Sequence, residues 1–128
     1  MRATLPFLLI AAGIFPGIAC GDIATANERA RSGVFDETGE VRCAQEAGQL
    51  LGTCVAVVAR ASDSSAVIVR FPNGFSRILV FTSREFLRAN ATMSGVGTDT
   101  HWSLLGGIYH VRVDDQRFEL SEALIFGD

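Results

Sequence analysis

A succession of short apolar, β-branched segments separated by turn residues constrains this chain more than any other feature. The segments at 53–59, 66–71 and 75–81 are rich in valine, isoleucine and phenylalanine, which favour strands. Strands separated by frequent turns, with little helical periodicity, are typical of antiparallel barrels and sandwiches. We therefore predict a mainly β fold, a small antiparallel β-barrel or sandwich of hairpins. Further strands are predicted at 101–105, 108–113 and 117–120.

The Pro-Asn-Gly sequence at 72–74 is the clearest local turn signal. Proline presets the first corner of a type I turn, and glycine supplies the left-handed residue of the adjoining bulge. A three-residue loop would pair Phe71 with Phe75 and Ile68 with Ile78. A two-residue loop would set two arginines opposite each other and require a backbone hydrogen that proline lacks, so we predict the three-residue register.

The N-terminal residues have the layout of a secretory signal peptide. A short basic start is followed by an apolar run at 5–15 and then by small residues. The run is too short and too interrupted by proline and glycine for a membrane-spanning helix, which needs about 20 apolar residues. The sequence Ala-Thr-Ala at 24–26 fits an ordinary signal peptidase. We therefore predict a signal peptide at 1–26 and export to the periplasm.

A second processing site competes with the first. The sequence Gly-Ile-Ala-Cys at 17–20 resembles the lipobox of bacterial lipoproteins. In this alternative, residues 1–19 are removed, Cys20 is lipidated and the product is an outer-membrane lipoprotein. Residues 27–40 are mostly polar and are predicted to form a flexible N-terminal segment. Residues 41–128 are predicted to form a single β-rich domain.

The cysteines predict one disulfide. Either processing route removes Cys20 from the thiol count and leaves Cys43 and Cys54, an even pair in an oxidising compartment. Their spacing is too wide for a C-x-x-C redox motif, and two cysteines are too few for a zinc site. Residues 41–51 show helical spacing, but a two-residue turn at 48–49 would form a hairpin with Cys43 opposite Cys54. We favour the hairpin.

The segment after residue 81 is ambiguous. Thr82 and Glu85 have the spacing of a capping box that could open a short helix, whereas residues 86–93 read equally well as a strand. A polar, glycine-rich loop is predicted at 94–100.

Several stretches resemble a group of small secreted proteins of Gram-negative alphaproteobacteria. The stretches are the hairpin around 71–74, residues 90–95, and the ending at 111–120 with 123–127. The resemblance covers most of the chain after residue 26 and implies a periplasmic location. Because the group has no established activity, the resemblance implies no chemistry.

Charge gives no sign of a nucleic-acid partner. The chain has 11 basic and 14 acidic residues and a net charge of −3. The basic residues are all arginines and are scattered, so they form no basic stripe of the kind that binds nucleic acid.

The two histidines are the strongest candidates for chemistry. His101 and His110 lie near Asp99 and Asp114 in sequence, so a metal site or an acid–base pair would require their convergence in space. A triad of Ser94, His110 and Asp114 can be drawn, but no nucleophile elbow surrounds the serine. We therefore predict no catalytic residue, no metal ligand and no cofactor.

Three classes of function remain open. We favour a non-enzymatic envelope protein that binds a protein or a cell-wall component through one face or through the glycine-rich loop. A lysozyme-inhibitor-like protein is one version, because the loop at 93–95 is similar to the serine-containing loop of such inhibitors. The alternatives are a small-ligand carrier with a pocket inside the barrel and a histidine-dependent hydrolase. The predicted binding loop comprises Ser94, Gly95, Thr98, Asp99, His101 and Trp102.

Overall fold

Eight antiparallel strands form one nearly closed, barrel-shaped sheet in the computed structural model, which describes residues 18–90 and 99–127. The strand order is β5-β4-β3-β2-β1-β8-β7-β6. Edge strands β5 and β6 contact each other, but no ladder joins them among the described residues. The prediction of a mainly β fold, an antiparallel barrel or sandwich, is therefore confirmed, and the sheet has the shape of a barrel. The elements are α1 (Ile18–Arg31), β1 (Glu37–Ala44), β2 (Gly52–Ala61), β3 (Ser64–Arg70), β4 (Ser76–Thr82), β5 (Glu85–Asn90), β6 (Thr100–Leu105), β7 (Ile108–Val113), β8 (Gln116–Ser121) and α2 (Glu122–Phe126).

The hairpin between β3 and β4 has the predicted three-residue loop. Ile68 pairs with Ile78, and the Phe71 amide donates to the Phe75 carbonyl at 2.8 Å. Gly74 has a φ of 95°, a left-handed value that costs glycine little. The local turn chemistry alone therefore fixed this register.

The segment after β4 forms a strand and not a helix. Ser83 and Arg84 both have positive φ, at 52° and 67°, as a tight two-residue hairpin turn requires. Thr82 and Glu85 pair across this turn, so β5 continues the sheet directly. The capping-box spacing was therefore misleading, because Thr82 and Glu85 pair across a hairpin turn and do not begin a helix.

Cys43 and Cys54 form the predicted disulfide, with their Cα atoms 5.9 Å apart. They are diagonal neighbours and not opposite residues, since Cys54 pairs with Val41 and Cys43 with Gly52. The predicted two-residue turn is wrong, because seven residues, 45–51, connect the strands. The Gln49 side chain holds this loop by accepting hydrogen bonds from the amides of Gln45 and Glu46 at 2.8 and 2.9 Å.

Aromatic and aliphatic side chains fill the interior of the barrel. The Phe81 and Tyr109 rings lie 5.1 Å apart in an edge-to-face arrangement, and both side chains are fully buried. An eight-stranded barrel is just wide enough for side chains to fill. This packing gives no support to a carrier pocket along the barrel axis. Other large buried side chains are Leu79, Phe118, Leu120 and Ile125.

Helix α2 closes one end of the barrel. Its cap is Ser121, whose hydroxyl accepts a hydrogen bond from the Leu124 amide at 3.1 Å. The buried Ser65 hydroxyl donates to the Ile125 carbonyl at 2.7 Å, and Arg60 donates to the carbonyls of Leu124 and Ile125. These bonds satisfy carbonyls at the end of a short helix that would otherwise lack partners.

Helix α1 covers the outer face of β2, β3 and β4. Ala26 and Ala30 are buried there against an apolar cluster that includes Val57 and Ile68. Small alanines allow the helix backbone to approach the sheet closely. Residues 27–40, expected to form a flexible segment, instead complete α1 and begin β1. Polar composition misled here because α1 needs only a few small apolar residues on its buried side.

Among the described residues, no helix is long and apolar enough to cross a membrane.

An ionic cluster holds α1 to the sheet. Arg29 forms an ion pair with Asp36 at 3.1 Å and donates to the Arg60 carbonyl. The Asp36 carboxylate accepts a hydrogen bond from the Arg60 amide at 2.7 Å. This backbone hydrogen bond lowers the pKa of Asp36, partial burial opposes the shift, and Arg29 adds to the lowering.

We expect Asp36→Asn to reduce the free energy of unfolding by about 1 kcal/mol at neutral pH, because a charge-assisted hydrogen bond is lost. A lowered folded-state pKa means that the contribution is complete above the ordinary value of 3.8 and disappears as the pH falls through the folded value. Urea unfolding of both proteins between pH 7 and pH 2 measures this. Asp115→Asn, in an exposed turn, is the control; a difference between Asp36→Asn and the parent that stays constant with pH contradicts the account.

Candidate functional site

A groove of about 300 Å³ lies on the outer face of β6, β7 and β8. Successive side chains of a strand point to opposite faces, so two rows of outward side chains border it. Between these two rows lie residues whose side chains point into the barrel, and their backbone forms the floor of the groove. The outward rows are His101, Arg112 and Arg117, here called the basic row, and Ser103, His110 and Glu119, here called the mixed row. The floor is formed at Trp102, Val111 and Phe118, and Leu51 also lines the groove.

The basic row sets two arginines opposite each other. Arg112 and Arg117 are cross-strand partners, an arrangement in which like charges are destabilising. Arg112 is offset by Asp99, whose carboxylate lies 3.2 Å from Nη2, and it also donates to the Asp114 carbonyl at 2.9 Å. Arg117 donates to the Gln49 carbonyl. The two guanidinium groups are thereby turned toward opposite ends of the row.

The mixed row combines a hydroxyl, an imidazole and a carboxylate. His110 Nδ1 lies 3.4 Å from Glu119 Oε2, and Arg42 lies 3.9 Å from the other oxygen of the same carboxylate. The other ring nitrogen of His110 has no partner in the part of the chain that the structure describes, so it can bind a ligand. Ser103 pairs with His110 in the ladder, but no hydrogen bond joins their side chains in the described part of the chain.

The loop at 45–51 forms one wall of the groove. Arg117 joins this loop to β8 through the Gln49 carbonyl, and Leu51 lines the groove itself. The neighbouring Leu50 is 89% exposed, the largest exposure among the exposed large hydrophobic side chains of the described residues. A leucine held outward on a fixed loop, beside a groove, is a suitable anchor for a partner surface.

The structure brings together part of the predicted binding loop. His101 and Trp102 line the groove, whereas Asp99 contributes indirectly through Arg112. Ser94, Gly95 and Thr98 lie outside the described residues. Cys20 lies in α1, and its side chain is not described.

The two histidines converge on the same groove without forming a shared metal site. His101 opposes Arg112 and His110 opposes Ser103, so the histidines are diagonal neighbours on adjacent strands. Within residues 18–90 and 99–127, no group of three or more histidines, cysteines or acidic residues could hold a metal ion. His110 contacts Glu119 and not Asp114, which stands in the β7–β8 turn with a φ of 53°. The triad of Ser94, His110 and Asp114 therefore lacks the contact between its histidine and its aspartate.

Several groove residues were missed in the sequence because their significance depends on register. Ser103, Arg112, Arg117 and Glu119 read as ordinary outward positions of alternating strands. The alternation of 108–113 and 116–121 identifies which side chains point outward, but only the pairing of three strands aligns them. Leu51 was missed because the predicted turn at 48–49 placed it in a strand, whereas it lies in the loop between β1 and β2.

Comparisons of this chain with protein-family models, with curated proteins and with solved structures find no match.

Proposed function

We propose that this protein is a non-enzymatic binding module of the bacterial cell envelope that holds a protein partner at the groove on β6–β8. The observation that carries the proposal is the groove itself, bordered by two rows of polar side chains that are half-buried except for the exposed His101, with the exposed Leu50 beside it. An exposed apolar anchor beside polar groups with hydrogen-bonding capacity is a common composition of protein interfaces. A cell-wall component is the alternative ligand for the same groove.

The disulfide supports the location. Disulfides persist in oxidising compartments such as the periplasm and are rare in the bacterial cytosol. The buried pair of Cys43 and Cys54 is therefore consistent with export, which the apolar N-terminal residues predict independently.

We expect Leu50→Asp to weaken partner binding at least tenfold, because a charge would replace the apolar anchor and would have to lose its water in the interface. Tagged parent and variant proteins would be used to capture partners from the native envelope fraction, and the bound fraction would be compared. Leu87→Asp is the matched control, since Leu87 is an exposed leucine on β5, away from the groove. Equal capture by the Leu50 variant, or loss of capture by the Leu87 variant alone, contradicts this assignment.

A hydrolase is the second candidate, favoured by one observation. Ser103, His110 and Glu119 follow one another across three strands, the order of groups that activates a serine nucleophile. Because no hydrogen bond joins Ser103 to His110 in the described residues, we rank the hydrolase hypothesis second. A serine-reactive phosphonate probe that labels the parent protein but not Ser103→Ala would establish it, and absence of labelling in the folded parent would remove it.

Packing of α1 bears on the choice of processing site. Ala26 is fully buried and Asn27 is 9% exposed, so cleavage between them would cut a helix that lies on the sheet. Loss of the first part of α1 would uncover apolar residues such as Ile68. Processing at Cys20 would instead keep most of α1. We therefore propose the lipoprotein route, although the Ala-Thr-Ala sequence had favoured the other.

We expect the intact mass of the protein from its native host to correspond to a lipidated chain beginning at Cys20. Cys20→Ser should abolish the lipid mass and release the protein from the membrane fraction. An unmodified chain beginning at Asn27 would contradict the lipoprotein proposal and restore the signal peptide at 1–26.

A further inference from the structure

Arg77 is a buried cation inside the barrel. Positions 77, 79 and 81 of β4 share one face of the strand, and Arg77 is only 7% exposed beside the fully buried Leu79 and Phe81. Burial lowers the pKa of the guanidinium, and the nearby Asp114 partly opposes this shift. An arginine side chain nevertheless stays protonated in proteins, so a positive charge lies among mostly apolar inward side chains.

Within the described residues, no hydrogen bond or ion pair reaches the two outer nitrogens of Arg77. Nε donates to the Gln116 side chain at 2.9 Å, and the guanidinium carbon lies 5.6 Å from the centre of the Phe75 ring. Among the ion pairs of the described residues, none includes Arg77. Asp114 is close enough to stabilise this charge but forms no ion pair with it, so the two Nη groups keep hydrogen-bonding capacity for an anion.

The free nitrogens of Arg77 are reachable from outside. In the described ranges, Asn27 Oδ1 is the one fully buried side-chain nitrogen or oxygen atom that has no hydrogen-bond partner. The two Nη atoms, which have no described partner, therefore keep some access to solvent.

Access comes from the end of the barrel opposite α2, here called the loop end, where the loops at 45–51, 71–75 and 114–115 lie. Arg77 is one residue inside the start of β4, and Gln116 begins β8 at this same end. Helix α2 covers the other end. A ligand at Arg77 would therefore enter at the loop end, between the aromatic Phe75 and the β7–β8 turn.

We propose that Arg77 binds the carboxylate of a small monoanionic ligand at the loop end of the barrel. With Nε engaged by Gln116, the two Nη groups present a fork that matches the two oxygens of a carboxylate. Asp114 already offsets part of the Arg77 charge, so a ligand with one negative charge is repelled less at this site than a phosphate with two. The Phe75 ring offers an apolar surface for a short hydrocarbon body. This site lies at the loop end, at the edge of the filled interior, and does not depend on the groove.

Hexanoate is the probe for this site, with inorganic phosphate for comparison. We expect hexanoate to shift the Arg77 Nε–Hε resonance in nitrogen-15 NMR and to raise the melting temperature by about 5 °C or more at ten times the Kd. Phosphate at equal ionic strength should do neither.

Arg77→Met tests the assignment, since methionine keeps apolar contacts and removes the charge. This variant should fold and lose the stabilisation by hexanoate. Arg70→Met, which removes an exposed arginine from neighbouring β3, should keep it.

Equal stabilisation of the parent and Arg77→Met, or no shift of the Arg77 resonance at saturating hexanoate, would overturn the proposal. A larger response to phosphate would overturn the carboxylate assignment. If Arg77→Met fails to fold, the resonance of the parent protein decides the question alone.

Discussion

The short ladder between β1 and β8 is the constraint on which the rest of this structure depends. It consists of the pairs Arg42 with Glu119, Cys43 with Phe118 and Ala44 with Arg117. This ladder joins the five strands β1–β5 to the three strands β6–β8, because no ladder joins β5 to β6 among the described residues. The contacts around the groove that join the two parts of the sheet rely on this register.

The same ladder builds the core and the groove together. Its middle pair points inward, where Cys43 is linked to β2 by the disulfide and Phe118 packs in the interior. The two outer pairs lie on the other face and bring Arg42 to the Glu119 carboxylate and Arg117 to the loop at 45–51, although Ala44 is itself buried. A slip of one residue would exchange the two faces, burying charges and exposing the core. Stability of the barrel and the geometry of the groove therefore have one origin.

Local signals in the sequence were sufficient for much of the fold. The strand segments, the loop at 72–74 and the cysteine pair depend on near neighbours or on counting, and each was predicted correctly. The β1–β2 connection was not predicted, because Gln49 holds seven residues together through side-chain hydrogen bonds that composition does not reveal.

The groove was predictable only in part. His101 and Trp102 were selected for their chemistry, whereas Arg117 and Glu119 join them only through the pairing of strands distant in sequence. The role of α1 was missed for a related reason. Its two buried alanines become informative only when the apolar outer face of β2–β4 is known.

Hydroxyl-radical footprinting of the protein, alone and in complex with its captured envelope partner, tests the central claim most directly. If the groove is the binding site, His101, His110 and Leu50 should be protected in the complex, while the exposed Val55 and Leu87 should react as in the free protein. Protection of Val55 or Leu87 with an unprotected groove would contradict the account, and so would a native envelope fraction that yields no partner.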